Sequence, residues 1–226
     1  MKIIAFIPIR GGSKSIPNKN IKLFCGKPLI YWSMIAACRA NLINEVIIAT
    51  DSLEFEAIIN NFGEKKTKIY QRKKENAEDE SSTESVMLEY IKYKKNLRED
   101  DVFVLIQATN PFITSEYLDD ALYRYSISFS DSMLSCARMK RFFWGEKGMP
   151  MNYDLNNRPR RQDFKGILIE NGSFYINKIK NVKEHKNRLS GSVSIYEMPD
   201  YTSFEIDEPD DWIISENLMI RNNINI

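Results

Sequence analysis

Residues Arg10 to Asn20, Arg-Gly-Gly-Ser-Lys-Ser-Ile-Pro-Asn-Lys-Asn, carry the densest chemistry in the chain. Gly11 and Gly12 let the backbone turn tightly and bring its N–H groups close to a ligand. Arg10, Lys14 and Lys19 supply three cations, with Ser13 and Asn20 as neutral donors. Backbone donors mixed with several cations suit a polyphosphate, whose oxygens need both hydrogen bonds and charge neutralisation. The same residues also fit a solvated basic loop. The spacing is not that of a Walker A loop, because no Gly-Lys-Ser/Thr follows at the required distance.

Further polar candidates follow other apolar runs. Gln107 and Thr109 lie directly after Asp101–Ile106, the clearest central strand in the sequence, as a polar-ligand site would, although Asn110-Pro111 also reads as an ordinary turn. Asp51 follows Glu45–Ala49, where open α/β sheets bind ligands, but capping the next helix is an equal reading. Phe204-Glu205-Ile206-Asp207 alternates apolar and acidic residues, which puts both carboxylates on one side. Asp207 also stands where it could cap a helix starting at Pro209.

The elements that must position these groups alternate in type. Apolar runs predict strands at 2–9, 45–49, 68–72 and 101–106. Helical patterns fall between them, over 28–41, 52–61 and from 81, and another follows over 114–126. Ser81 and Glu84 read as a capping box, and Val86, Met87, Tyr90, Ile91 and Tyr93 as a core face. This alternation predicts a doubly wound, mostly parallel α/β sheet. After Ser132–Ala137 the pattern breaks, and 138–163 carries Phe142, Phe143, Trp144 and the arginines Arg158, Arg160 and Arg161. Strand character resumes at 167–169 and 174–176, with Asn171-Gly172 as a turn between them. Val193–Tyr196 is a last short strand, and a helix from Pro209 to about Arg221 closes the chain.

At 226 residues the chain fits one large domain with a protruding segment at about 138–165. A hydrophobic content of 43% supplies a core, and a net charge of +1 gives no global field for nucleic acid or membrane surfaces. A basic-aromatic segment can bind single strands, but nothing else here is basic, so the exposed aromatics are expected to pack on a second subunit. Three widely spaced cysteines, Cys25, Cys38 and Cys136, suit reduced thiols and a cytoplasmic location. No apolar stretch reaches the ~18 residues of a membrane span, and the first apolar run leads into the glycine loop rather than a cleavage site. His185 lies in a Lys/Asn-rich stretch and reads as a surface residue.

The motif Ile7-Pro8-x-Arg10-x-Gly12-Ser13-Lys14-x-x-Pro17-x-Lys19-Asn20 resembles the signature loop of the acylneuraminate cytidylyltransferases, the CMP-sialic acid synthetases. The resemblance continues through Gly26-Lys27-Pro28-Leu29, Thr50-Asp51-Ser52, Gln107-x-Thr109-x-Pro111, Arg161-Gln162, Asn171-Gly172-x-x-Tyr175 and Glu205-Ile206-Asp207. It implies a Rossmann-like nucleotidyltransferase that activates a nine-carbon 2-keto sugar acid with CTP. It implies further that Arg10, Gly12, Ser13, Lys14, Lys19, Asn20, Arg72 and Asp79 bind the nucleotide. Gln107, Thr109, Arg161, Asn171 and Tyr175 would face the sugar acid, and Glu205 and Asp207 would hold Mg²⁺ or Mn²⁺. Arg10, Lys19 and Asp207 would be the catalytic residues, in a homodimer built through the protruding segment.

The chain departs from that pattern at Ile113, where relatives have Arg, at Glu205, a longer first acid, and at Arg188-Leu189, where one enzyme type has aromatics. The expected reaction is attack of the sugar's anomeric hydroxyl on the α-phosphate, with Arg161 gripping the sugar's carboxylate. Two rival functions share some of these features. A sugar-nucleotide glycosyltransferase would need fewer cations in the first loop, and a non-catalytic nucleotide binder would leave Glu205 and Asp207 without a task.

Overall fold

The computed structural model describes residues 1–77 and 81–224. In chain order the elements are β1 (Ile3–Pro8), β2 (Leu23–Phe24), β3 (Lys27–Pro28), α1 (Leu29–Arg39), β4 (Glu45–Thr50), α2 (Leu53–Asn60) and β5 (Thr67–Gln71). They continue with α3 (Thr83–Tyr93), β6 (Val102–Ile106), α4 (Ser115–Ile127), β7 (Ser132–Met139), β8 (Ile167–Lys178), α5 (Ile179–His185), β9 (Val193–Met198) and α6 (Pro209–Arg221).

Seven strands form one sheet in the order β5-β4-β1-β6-β8-β7-β9. β1 pairs in parallel with both β4 and β6, and β7 with β9, whereas β8 runs antiparallel to its neighbours β6 and β7. This is the mostly parallel α/β arrangement that the alternating pattern predicts. Central strands are apolar on both faces because helices cover both, as continuous runs such as Val102–Ile106 require. One face packs Ile7, Ile30, Met34, Ile48 and Phe174, and the other packs Phe6, Met87, Tyr90, Phe103 and Tyr175.

Several local readings differ from the structure. Pro28 does not open α1 but caps it in extended conformation at the end of a small hairpin, β2–β3, turned by Cys25 (φ 47°) and Gly26 (φ 80°). The cap of α3 is Ser82, whose side chain accepts from the Ser85 amide, so Ser81 and Glu84 form no capping box there. Tyr93 is exposed rather than part of the α3 core face. Asn171-Gly172 is not a hairpin turn. β8 runs straight through it, with Gly172 at φ 62° and the pairing with β7 shifted between Leu134 and Cys136. Residues 140–166 leave the sheet between β7 and β8, and there Phe142 packs against Tyr153 and Phe164, with Arg158 4.6 Å over the Phe142 ring. Part of that aromatic surface is thus covered within the segment itself, while Trp144, Met149, Met151 and Leu155 stay exposed.

Candidate functional site

A cleft of about 480 Å³ opens at the carboxyl ends of β1 and β6. Its walls include Arg10, Ser13, Lys14, Lys19 and Asn20 from the first loop, Arg72 after β5, Ser82 and Thr83 at the start of α3, Gln107 and Thr109 after β6, and Asp207. Crevices outside strand carboxyl ends are where open α/β sheets bind ligands.

The first loop is held by its own polar residues. The Gly11 amide donates to Asp51 Oδ1 at 3.0 Å, so Asp51 anchors the loop while Ser52 caps α2. Asn20, buried, donates from Nδ2 to the Arg10 carbonyl at 3.3 Å and closes the loop. Asn18 takes φ 54°, which Asn tolerates, and turns the chain into a short 3₁₀ segment at Lys19–Ile21. Gly12 lies on this loop with open space at its Cα.

Lys19 joins the loop to the acidic segment. Its Nζ donates to the Ile206 carbonyl at 2.8 Å and to Asp207 Oδ1 at 3.0 Å. Ser15 adds a bond to Glu208 at 3.1 Å, and the Ile206 amide donates to the Thr109 carbonyl at 2.8 Å. The N-cap of α6 is Glu208, in a reciprocal capping box with Asp211. Asp207 therefore does not cap the helix, and its carboxylate turns to the cleft.

Arg72 is 8% exposed, and desolvation holds its pKa below the usual value against the opposing charges of Asp51 and Glu89. Its Nε has no hydrogen-bond partner among the described residues, an uncommon state for a buried guanidinium beside a cleft. Glu89 of α3 gathers the Tyr70 hydroxyl, the Lys73 amide and the Asn76 side chain, which fixes the turn that presents Arg72. Asp79 lies outside the described residues.

Behind Gln107, the buried Tyr175 donates from its hydroxyl to Gln107 Oε1 at 3.4 Å and to Glu170, and does not itself line the cleft. The Glu205 carboxyl lies directly over Gly172. Burial, then the charges of Asp207 and Glu170, push the Glu205 pKa up to about 7. Such crowding of carboxylates is what a divalent cation would relieve. Among the described residues no three His, Cys, Asp or Glu side chains form a complete metal cage. Two carboxylates, with phosphate oxygens and water completing the shell, is nonetheless the usual way Mg²⁺ is held beside a nucleotide, and the residues fit it.

Besides Tyr175, two expected sugar-facing residues stand away from the cleft. The Asn171 amide is fully buried and donates to Thr202 Oγ1 at 2.9 Å, so its side chain braces the segment before Glu205. Arg161 is exposed and lines a separate depression with Arg138, Lys140, Arg141 and Phe204. Glu170 and Glu89 were not visible as site residues in the sequence, and Arg188 stood there only as a departure from the family pattern; Arg188 meets Glu84 104 positions away, whereas Glu170 meets Tyr175 on its own strand.

Residues 4–221 match a protein-family model described as Cytidylyltransferase. An N-acylneuraminate cytidylyltransferase A of Danio rerio is 38% identical over 97% of this chain and 51% of its own length, so the chain spans about half of that relative. A CMP-N,N'-diacetyllegionaminic acid synthase of Legionella pneumophila is 27% identical, with 98% of each chain covered. In fold, the chain is similar to a CMP:2-keto-3-deoxy-manno-octonic acid synthetase solved with CTP, at a TM-score of 0.69 and 17% identity, covering 98% of this chain and 100% of that one. With the family model spanning both the glycine loop and the acidic pair, the chain belongs to the cytidylyltransferase family.

Proposed function

We propose that this chain transfers CMP from CTP to a nine-carbon 2-keto sugar acid, releasing pyrophosphate. The observation that carries this reading is the joining of a three-cation loop to the acidic segment in one cleft through Lys19. The sugar's anomeric hydroxyl attacks the α-phosphorus and gives up its proton to solvent, as the bond from phosphorus to the bridging oxygen breaks and pyrophosphate leaves. Arg10, Lys14 and Lys19 offset charge growing on the departing pyrophosphate, with Ser13 and Asn20 beside them. Arg72, with its buried Nε directed to no protein acceptor among the described residues, takes the nucleotide. Gln107 and Tyr175, already hydrogen-bonded to each other, orient the sugar acid.

Glu205 and Asp207 would hold a Mg²⁺ or Mn²⁺ ion, whose part is to offset phosphate charge and to polarise the α-phosphate. A homodimer through 138–165 is proposed from the exposed Trp144, Met149, Met151 and Leu155. A cytoplasmic location is proposed from the three free cysteines. No helix among the described residues is long and apolar enough to cross a membrane.

Pyrophosphate release tests the reading, with each of the four nucleoside triphosphates against a panel of nine-carbon sugar acids. CTP is expected to support turnover with at least one of them, and chelator to abolish it. Equal turnover with ATP, or full activity in excess chelator, would refute it.

A further inference from the structure

Arg188 stands on the loop between α5 and β9, at one of the positions where the sequence departs from the family pattern. Its guanidinium lies 4.9 Å over the Tyr175 ring, and its Nε donates to Glu84 Oε1 at 2.6 Å. Its side chain is about four-fifths covered, at 20% relative exposure. Its main chain is fixed as well, because Asn177 donates from Nδ2 to the Arg188 carbonyl at 3.2 Å. The neighbouring Leu189 packs into the core cluster that holds Tyr175. A long side chain is rarely held at so many points unless its position matters.

The surroundings show what that cation faces. Beneath it, the Tyr175 hydroxyl reaches Gln107, which lines the cleft, and Glu170. Glu205 is near enough to feel the charges of Arg188, Glu170 and Asp207. Three carboxylates thus act on one another here, of which Asp207 lines the cleft, and Lys19 is already engaged with it. A substrate that is itself an acid adds another negative charge, and a buried charge without a cation is costly. Arg161, the other arginine considered for this role, lines a separate depression. Glu84 engages the Nε–H, one of five guanidinium donors, and holds the planar fork in a fixed orientation.

We propose that Arg188, steadied by Glu84 and the Tyr175 ring, binds the carboxylate of the sugar acid and so selects for acidic sugars. The proposal rests on the functional reading above. Its test compares the sugar acid with its carboxyl methyl ester, as pyrophosphate release at saturating CTP. Wild type should prefer the acid. Arg188→Ala should raise KM for the acid about 10- to 100-fold, the usual size of a lost hydrogen bond to a charged group. KM for the ester and KM for CTP should stay within about threefold of wild type, since neither contact involves this charge pair. Arg188→Lys should recover part of the loss, as it keeps the charge without the fork. Thermal denaturation checks folding, and Arg188→Gln, closer in size, serves if the alanine variant unfolds.

Equal weakening of acid and ester, a raised KM for CTP, or unchanged kinetics overturns the assignment. So does an acid preference that Arg161→Ala abolishes and Arg188→Ala preserves. If wild type releases no pyrophosphate with any sugar acid, the functional reading falls and this assignment falls with it. An active wild type beside an unaffected Arg188→Ala overturns the assignment alone.

Discussion

Gly172→Ala should injure the protein in two separable ways. The residue sits at φ 62°, and a Cβ built there would overlap the whole Glu205 carboxyl, whose far oxygen Oε1 would be 2.9 Å away. Holding alanine in the left-handed region costs about 1–2 kcal/mol. Forcing a half-buried carboxyl out of its place adds an overpacking cost of about 1–3 kcal/mol. The sum, about 2–5 kcal/mol, lowers Tm by about 4–20 °C in a chain of this size. The two contributions separate in the double variant Gly172→Ala/Glu205→Ala, where the overlap is gone and about 1–2 kcal/mol of backbone cost remains. Denaturation of the wild type, both single variants and the double variant, all without ligand, measures the cycle. A double variant as unstable as Gly172→Ala would refute the argument, because the cost would then owe nothing to the carboxyl. Gly172→Ala should also lose turnover, since Glu205 could no longer stand beside Asp207.

Lys19→Ala should lower kcat on the order of 10²-fold while changing KM less, if the ammonium offsets charge on the leaving pyrophosphate; an intact kcat would exclude that role. Arg72→Ala should raise KM for CTP about tenfold and leave KM for the sugar acid unchanged, read from titrations of each substrate in turn. Sedimentation should find a dimer at micromolar concentration, and Trp144→Asp should dissociate it; a monomer with normal activity would remove the proposed role of 138–165.

Much of the frame was legible because the buried strands are written as apolar runs and the glycine loop as a dense motif. Val102–Ile106 needs no tertiary information to be recognised as a central strand. The misreadings share a cause. Asn171-Gly172 has turn chemistry, yet pairing with β7 before and after it, and with β6 from Phe174 onward, keeps the strand going and leaves the glycine to make room for Glu205. Asp207 and Glu208 are both acceptable caps locally, and Lys19, distant along the chain, draws Asp207 away. Ser81 and Ser82 differ by one position, which no pattern resolves. The β2–β3 hairpin was missed because two-residue strands leave no periodicity to detect. Arg188 showed in the sequence only as a departure from the family pattern and Glu170 not at all, since what makes Arg188 a neighbour of the site is a ring and a carboxylate contributed by other elements.

The bonds from Lys19 and Ser15 to residues 206–208 span 187 to 193 positions of sequence. The mouth of the cleft therefore closes only after residues 206–208 have been made. A ribosome adds about 5–20 residues per second, so on the order of ten seconds or more separate the first loop from its acidic partner. Throughout that interval the glycine loop has emerged but lacks the segment that fixes Lys19, while the sheet centred on β1, β4 and β6 can already assemble. Contacts of such long range also slow the final step of refolding. A nascent chain thus remains unable to grip a nucleotide properly until α6 has docked its Trp212 against Phe24, 5.5 Å away between ring centres.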